Sequence, residues 1–249
     1  MGNKVLFYQL PTILDETEDF AVVFKPPRMH CAPLQGRPSD TLLDWYAAIF
    51  PSIMKLSGRK DGEGGLLHRL DYETQGLVLF AKNQQSFSHL LVQQEEGNFI
   101  KGYSAICQKA NPIDASGSTP HSSFPPPPFT ISSVKDGFAI ESYFRPFGPG
   151  RKQVRPVVLD KNSQVYRTEI VAFSQPAPDH YAFTVRLRCG FRHQVRCHLA
   201  WIGCPVLNDP LYGTNPDNGF LALRANGLVF VDPQSGESRE YRIAPLEFP

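Results

Sequence analysis

What the chain lacks narrows it first. Its 249 residues include five cysteines, Cys31, Cys107, Cys189, Cys197 and Cys204, an odd number without the spacing of a disulfide framework. A disulfide-stapled secreted scaffold is therefore not expected, and a reducing, cytoplasmic setting is. No apolar run approaches the roughly 18 to 20 residues of a membrane span. The N-terminus has no apolar segment before the acidic Asp15-Glu16-Thr17-Glu18-Asp19, and Met1-Gly2 is followed by Leu6 where a myristoylation signal requires Ser or Thr. A soluble, monomeric protein without a membrane partner is the expectation. Net charge is missing too: 25 basic and 24 acidic residues leave +1, so a nucleic-acid role has to rest on local clusters. Such clusters exist where acids are absent. Between Asp179 and Asp209 there is no acidic residue, yet Arg186, Arg188, Arg192, His193, Arg196 and His198 fall there. Between Glu141 and Asp160 the same holds for Arg145, Arg151, Lys152 and Arg155. Two such stretches can line an anionic groove or lie in solvated loops.

Periodicity and punctuation give the elements. The apolar run 20–24 predicts a strand that Lys25-Pro26-Pro27 ends, because proline has no ladder donor. Ser39 or Asp40 is expected to cap a helix through Phe50, with Leu42, Leu43, Trp45, Tyr46 and Ile49 on its apolar face and Pro51 as its stop. A second helix is expected over 84–96 and a strand over 100–107. From about 108 to 155 the pattern breaks down into Ser, Gly and Pro, including Pro125 to Pro128, which predicts a Pro-rich loop insertion within a single domain spanning 1–249. Strands over 165–173 and 181–188, a helix over 193–202 closed by Gly203, and short strands near 220–225 and 228–231 complete the chain. Strands following strands with three interspersed helices predict an α+β class with a mixed, mostly antiparallel sheet.

Two stretches carry side chains with chemistry. His68-Arg69-Leu70-Asp71-Tyr72-Glu73-Thr74-Gln75-Gly76 lies between apolar segments that read as buried strands, which places a carboxylate and two cations at a sheet end, where desolvation is costly. An ordinary Arg–Asp ion pair in a strand–loop–strand accounts for the same pattern. An aspartyl-phosphate hydrolase would use the Asp71-x-Glu73 pair, but no second acidic motif accompanies it. The other stretch, Cys189-Gly190-Phe191-Arg192-His193-Gln194-Val195-Arg196-Cys197-His198-Leu199, tempts a metal reading. No C-x2-C knuckle is present and Gly190 breaks the helix that would align Cys189, so no metal site is expected. A strand-to-helix junction explains it better, with Arg192 and Arg196 four apart on one helix face above an anion-attracting helix start. Their common neighbourhood would be phosphate or Asp71.

Three weaker pieces complete a pattern: Phe24-Lys25-Pro26-Pro27, Lys101-Gly102-Tyr103-Ser104-Ala105 and Asn208-Asp209-Pro210-Leu211-Tyr212-Gly213. In order with the two stretches above, they resemble the successive motifs of the RluA-type RNA pseudouridine synthases, over roughly residues 20 to 230. The resemblance implies isomerisation of uridine in rRNA or tRNA, without cofactor, on an α+β catalytic domain with a central cleft. It implies that Asp71 is the essential aspartate, Tyr103 the aromatic packed on the target base, Arg196 the basic partner of Asp71, and Arg69 a residue holding the flipped-out state. Substrate contacts are likewise implied for His68, Thr74, Arg192, His193, Gln194 and Lys25. The first motif begins too near residue 1 for the S4-like domain that some relatives carry.

Four positions depart from the family pattern. Phe191 stands where Arg is usual, Gln75 where Ser is usual, and Arg28 and Asn208 where Gly is usual. None of them is Asp71, Tyr103 or Arg196. An RNA-binding module without turnover is the alternative they raise, and they are its only support. The chemistry fits the residues in its own right. Moving the ribose from N1 to C5 of a uridine held outside its stack calls for a buried carboxylate kept ionised by a cation such as Arg196. An aromatic such as Tyr103 would receive the base.

Overall fold

The computed structural model describes residues 10–34, 40–110, 123–160, 164–213 and 219–248. In chain order its elements are β1 Thr12–Glu16, β2 Phe20–Lys25, α1 Leu42–Ile49, β3 Gln75–Ala81, α2 Gln84–Glu95, β4 Ile100–Gln108, β5 Ala139–Phe147, β6 Gln153–Val157, β7 Tyr166–Ala177, β8 His180–Leu187, α3 Gln194–Trp201, β9 Leu223–Val231 and β10 Ser238–Arg242. The class is α+β. The ladders β1–β2, β2–β3, β4–β8, β7–β8, β5–β7, β5–β6 and β9–β10 are antiparallel, and a parallel bridge joins His30 to Thr41. Among the described residues no helix is long and apolar enough to cross a membrane.

The chain gathers into two compact units, Met1–Phe99 with Gly227–Ile243 and Ile100–Asn226 with Ala244–Pro249. In the first, β2 pairs with β1 and β3, and β10 pairs with the Gly227–Val231 half of β9. Every residue of β2 and β3 is buried, which is why both read as unbroken apolar runs rather than as alternation. Phe20, Val22, Leu77 and Leu79 pack with Phe87 and Leu90 of α2 and with Phe99, Leu228 and Phe230. The cap of α1 is neither candidate from the sequence. Ser39 lies outside the described residues, and the N-cap is Thr41, whose hydroxyl accepts from Asp44 N–H while the Asp44 carboxylate accepts from Thr41 N–H. That reciprocal capping box satisfies two orphan donors, more than Asp40 alone could.

In the second unit the strand order is β4-β8-β7-β5-β6. The stretch expected to be loop as far as residue 155 carries the β5–β6 hairpin. Its residues 111–122 lie outside the described set, and Pro125–Pro128 have no regular structure. Sequence reading missed the hairpin because Pro146, Gly148, Pro149 and Gly150 dilute its period. What holds it is packing: Phe144 and Val154 are buried against Cys197 and Ala200 of α3 and against Tyr212. The two short strands expected near the C-terminus are one strand, β9, followed by β10.

All eight residues of α3 are buried, so its polar side chains need partners inside the protein. His198 has them on both ring nitrogens, Ser142 Oγ at 2.9 Å and Thr168 Oγ1 at 2.8 Å. Burial pushes His198 down from its usual 6.5 to about 3. Below pH 6.5 the unfolded chain therefore takes up a proton on this ring that the folded chain refuses until about 3. Its stabilisation is complete above that window and is lost as pH falls through it. In urea titrations between about pH 6 and about pH 4.5, His198→Gln should show a shallower loss of stability, by up to about 1 kcal/mol per pH unit. Parallel slopes for the two proteins would mean that the ring is charged in the fold.

Candidate active site

Lys25 organises the first unit's site. It ends β2 with its side chain wholly buried, because Pro26 and Pro27 turn the chain back over it. An ammonium has three donors and no acceptor. Lys25 Nζ spends them on the carbonyls of Pro26 at 2.8 Å, Met29 at 2.8 Å and Tyr72 at 3.3 Å. Burial lowers Lys25 to about 8, against the opposing pull of Cys31, Asp71 and Glu73, so it remains mostly charged at neutral pH.

The loop bearing Asp71 is tied to the 25–31 loop on both sides of that residue. Leu70 N–H donates to Cys31 Sγ at 3.2 Å, Met29 N–H donates to Tyr72 O at 3.3 Å, and the His30 and Tyr72 rings lie 4.6 Å apart. Buried Thr74 closes the turn, its N–H donating to Asp71 O at 3.1 Å. Asp71 itself is half-buried, fixed through its neighbours yet still reachable from solvent. The two cations expected around it also make contacts of their own. His68 Nε2 accepts from Leu79 N–H at 3.2 Å, a role that needs a neutral ring, and Arg69 pairs with Glu63 at 3.0 Å.

Arg28 sits in this same loop with φ 59, in the left-handed region that favours glycine. A glycine at this place in the related motif thus has a backbone reason, and here the arginine carries the strain while reaching Glu73 at 3.6 Å. Asn208, the other substituted glycine, has φ 61, which asparagine tolerates more readily.

The second unit holds Tyr103, Arg192, His193, Gln194 and Arg196. Tyr103 lies in β4 opposite Val185 and is 8% exposed. The chain enters α3 through Gly190, where a Cβ would come within 2.8 Å of Lys101 Nζ, and through His193, whose φ of 57 makes it a left-handed N-cap. Gln194 stitches this entry, accepting from Phe191 N–H at 3.0 Å and donating to Arg167 O at 3.0 Å and Thr168 Oγ1 at 3.1 Å. Because the helix begins at Gln194, Arg192 lies outside it and does not share a helix face with Arg196. Exposed Arg192 donates to the carbonyls of Arg151 and Gln153 at 2.8 and 3.0 Å. Phe191, in place of the usual arginine, stacks on Phe144 at 5.0 Å.

Arg196 is buried and bidentate on Asp209, with Nε and Nη2 each 2.7 Å from a carboxylate oxygen. Asp209 also accepts from the N–H groups of Leu211 and Tyr212, at 2.9 and 3.1 Å. Tyr212 lies beneath the guanidinium at 5.5 Å, and its hydroxyl is 3.2 Å from His193 Nδ1. Asp209 lies within the last of the sequence motifs, yet the sequence alone assigns it no role. The signal was available: a buried arginine needs a carboxylate, and Asp209 is the first acid after a long acid-free stretch.

The RNA pseudouridylate synthase family model matches residues 19–201. The chain belongs to that family. An uncharacterised RNA pseudouridine synthase of Chloroflexus aurantiacus is 28% identical over 225 residues, covering 89% of this chain and 61% of that protein. Ribosomal large subunit pseudouridine synthase D of Haemophilus ducreyi is 26% identical over 249 residues, covering 94% and 66%. The chain thus spans about three-fifths to two-thirds of the length of these relatives. In fold it is similar to human RNA pseudouridylate synthase domain containing 1, with a TM-score of 0.65 at 20% identity over 94% of this chain and 83% of that one.

Two outcomes follow for this pseudouridylate synthase family member. Arg28→Gly and Arg28→Ala both lose Glu73, so their difference isolates the backbone. The glycine variant should be the more stable by about 1 kcal/mol, the reverse of the usual order, and an alanine variant of equal or greater stability would remove the strain. Asp209→Asn keeps the shape but takes a bidentate carboxylate from a buried guanidinium, which should cost about 3 to 5 kcal/mol in urea unfolding. A cost below about 1 kcal/mol would show that Arg196 has a second anion of equal worth.

Proposed function

We propose that this chain converts uridine to pseudouridine within RNA, with Asp71 as the group that acts on the uridine. The observation that carries this reading is the loop around Asp71. Its neighbours Leu70 and Tyr72 are each held by the 25–31 loop, while Asp71 stays half-exposed, the arrangement a carboxylate needs if it is to meet a substrate in one fixed place. Membership of the family supports it from a separate direction.

Uridine and pseudouridine have the same composition, so the reaction needs neither oxidant nor group donor. The N1–C1′ bond breaks and a C5–C1′ bond forms, with the C5 proton leaving to solvent or base and N1 taking up a proton in its place. A carboxylate in reach of the ribose or the base can serve as nucleophile or as base. The target must first leave its stack, at a cost of a few kcal/mol, and stacking on an aromatic such as Tyr103 returns about 1 to 3 kcal/mol of it. The names of the bacterial relatives support large-subunit ribosomal RNA as the substrate class, and five free thiols suit a reducing cytoplasm.

Asp71→Asn preserves size and removes both chemical roles. It should lower pseudouridine formation on ribosomal RNA by at least about a hundredfold while leaving RNA affinity largely intact, since affinity comes chiefly from phosphate contacts. The measurement is carbodiimide mapping of pseudouridine beside filter binding, and near-normal conversion by the variant would refute the assignment.

A further inference from the structure

The β5–β6 hairpin contains a pairing that fold stability alone disfavours. In its register Arg145 stands directly opposite Arg155, two like charges on one face of an antiparallel pair, where repulsion is destabilising. The other face of the hairpin, with Phe144 and Val154, is the buried one. By the two-residue alternation of a strand, both arginines therefore point away from that core. Local contacts relieve them only in part. Arg145 pairs with Asp160 at 3.1 Å yet keeps 57% of its side chain exposed, and the Arg155 guanidinium lies 5.8 Å from the centre of the Phe147 ring.

At the hairpin tip Gly148, Gly150 and Arg151 all have positive φ, and Arg151 and Lys152 are exposed. Arg192 braces this tip through the carbonyls of Arg151 and Gln153, leaving the Arg151 side chain uncommitted to that brace. Between Glu141 and Asp160 the sequence has no acidic residue, and Asp160 itself pairs with Arg145.

We propose that the outward face and tip of this hairpin, Arg145, Arg151, Lys152 and Arg155, bind the phosphate backbone of the RNA, with Arg192 as the residue that positions the tip. The inference rests on the reading of the chain as an RNA-modifying enzyme and adds where it grips its substrate. Phosphate resolves the frustration of the pairing, because an anion between Arg145 and Arg155 turns mutual repulsion into shared attraction and releases counterions.

Arg155→Glu separates grip from fold, because it places an acid opposite Arg145. The hairpin should be as stable as before or more so, with an unchanged or higher unfolding midpoint. Affinity for large-subunit ribosomal RNA transcribed in vitro should nevertheless fall about tenfold or more, and the slope of log K against log salt should flatten by about one phosphate's worth. Unchanged affinity and slope in a folded variant would overturn the proposal. If Arg155→Glu lowers the unfolding midpoint, the exposed pair Arg151→Ala with Lys152→Ala decides instead: a slope flatter by about one to two phosphates supports the grip, and an unaltered slope overturns it. Pseudouridine formation by the wild-type chain is measured on the same RNA. Wild-type binding without any conversion, alongside weakened hairpin variants, would sink the enzymatic reading and leave the RNA grip standing. Conversion by wild type with equal binding by all variants would do the reverse.

Discussion

A guanidinium shut away from water cannot be left without an anion, and much of the second unit is arranged to meet that constraint. Arg196 and Asp209 are both almost fully buried, so removing either one would take a bidentate, charge-assisted contact from a buried charge, a loss of several kcal/mol. The bond therefore fixes more than itself. Asp209 draws in the N–H groups of Leu211 and Tyr212, and this sets the turn that Asn208 enters in the left-handed region. The Tyr212 hydroxyl then takes both backbone groups of Val154, accepting from its N–H at 2.8 Å and donating to its carbonyl at 3.1 Å. One side chain thereby substitutes for a ladder partner along β6. From α3 through the turn to the hairpin, each position is determined by the one before it.

The first unit meets the analogous constraint with an ammonium. The net lowering of Lys25 from 10.5 to about 8, desolvation outweighing the pull of Cys31, Asp71 and Glu73, corresponds to about 3 kcal/mol against the charged form. Three carbonyl acceptors, each a charge-assisted hydrogen bond, are what hold the ammonium in this buried place despite that net penalty. A methionine would fill the same space without the penalty, but it would gather no carbonyls, and the backbone on one side of Asp71 would lose its tie to β2. Both units thus hold a buried cation at an element terminus, and in both the partners lie on the loop whose placement matters.

Much of this was legible in the sequence, for identifiable reasons. β2 and β3 announced themselves as apolar runs because they are buried on both faces, and α2 and α3 had clear stops at Gly97 and Gly203. Asp71, Lys25 and Tyr103 could be singled out because they sit in order within a motif series. The β5–β6 hairpin was hidden because its prolines and glycines dilute the strand period, while the packing that holds it, against α3 and Tyr212, is tertiary. β1 was hidden because its exposed acids, Asp15 and Glu16, look like loop, although Glu16 accepts from buried Tyr46 at 2.8 Å. The partners of His68, Arg69 and Arg192 were beyond sequence reasoning altogether, since spacing along the chain does not say which group a side chain meets in space: the Leu79 N–H, Glu63 and two backbone carbonyls.

Backbone strain marks the same places. Non-glycine residues with positive φ are Arg28, Arg151, Asp179, His193 and Asn208 among the described residues. Only Asp179 stands apart from the loops discussed above, in the short β7–β8 connection. The other four lie beside Lys25, at the hairpin tip, at the start of α3 and next to Asp209. Such conformations cost of order 1 to 3 kcal/mol each and persist only where the surroundings over-determine them. Here the surroundings are the cation-centred contacts themselves: Lys25 and Glu73 constrain the loop of Arg28, Arg192 holds the carbonyl of Arg151, Tyr212 meets His193, and Asp209 anchors the turn after Asn208. Substituting arginine for the usual glycine at position 28 is therefore tolerable because the loop is already pinned by Lys25, and what the backbone loses in ease the loop gains in a charged side chain beside Asp71's turn.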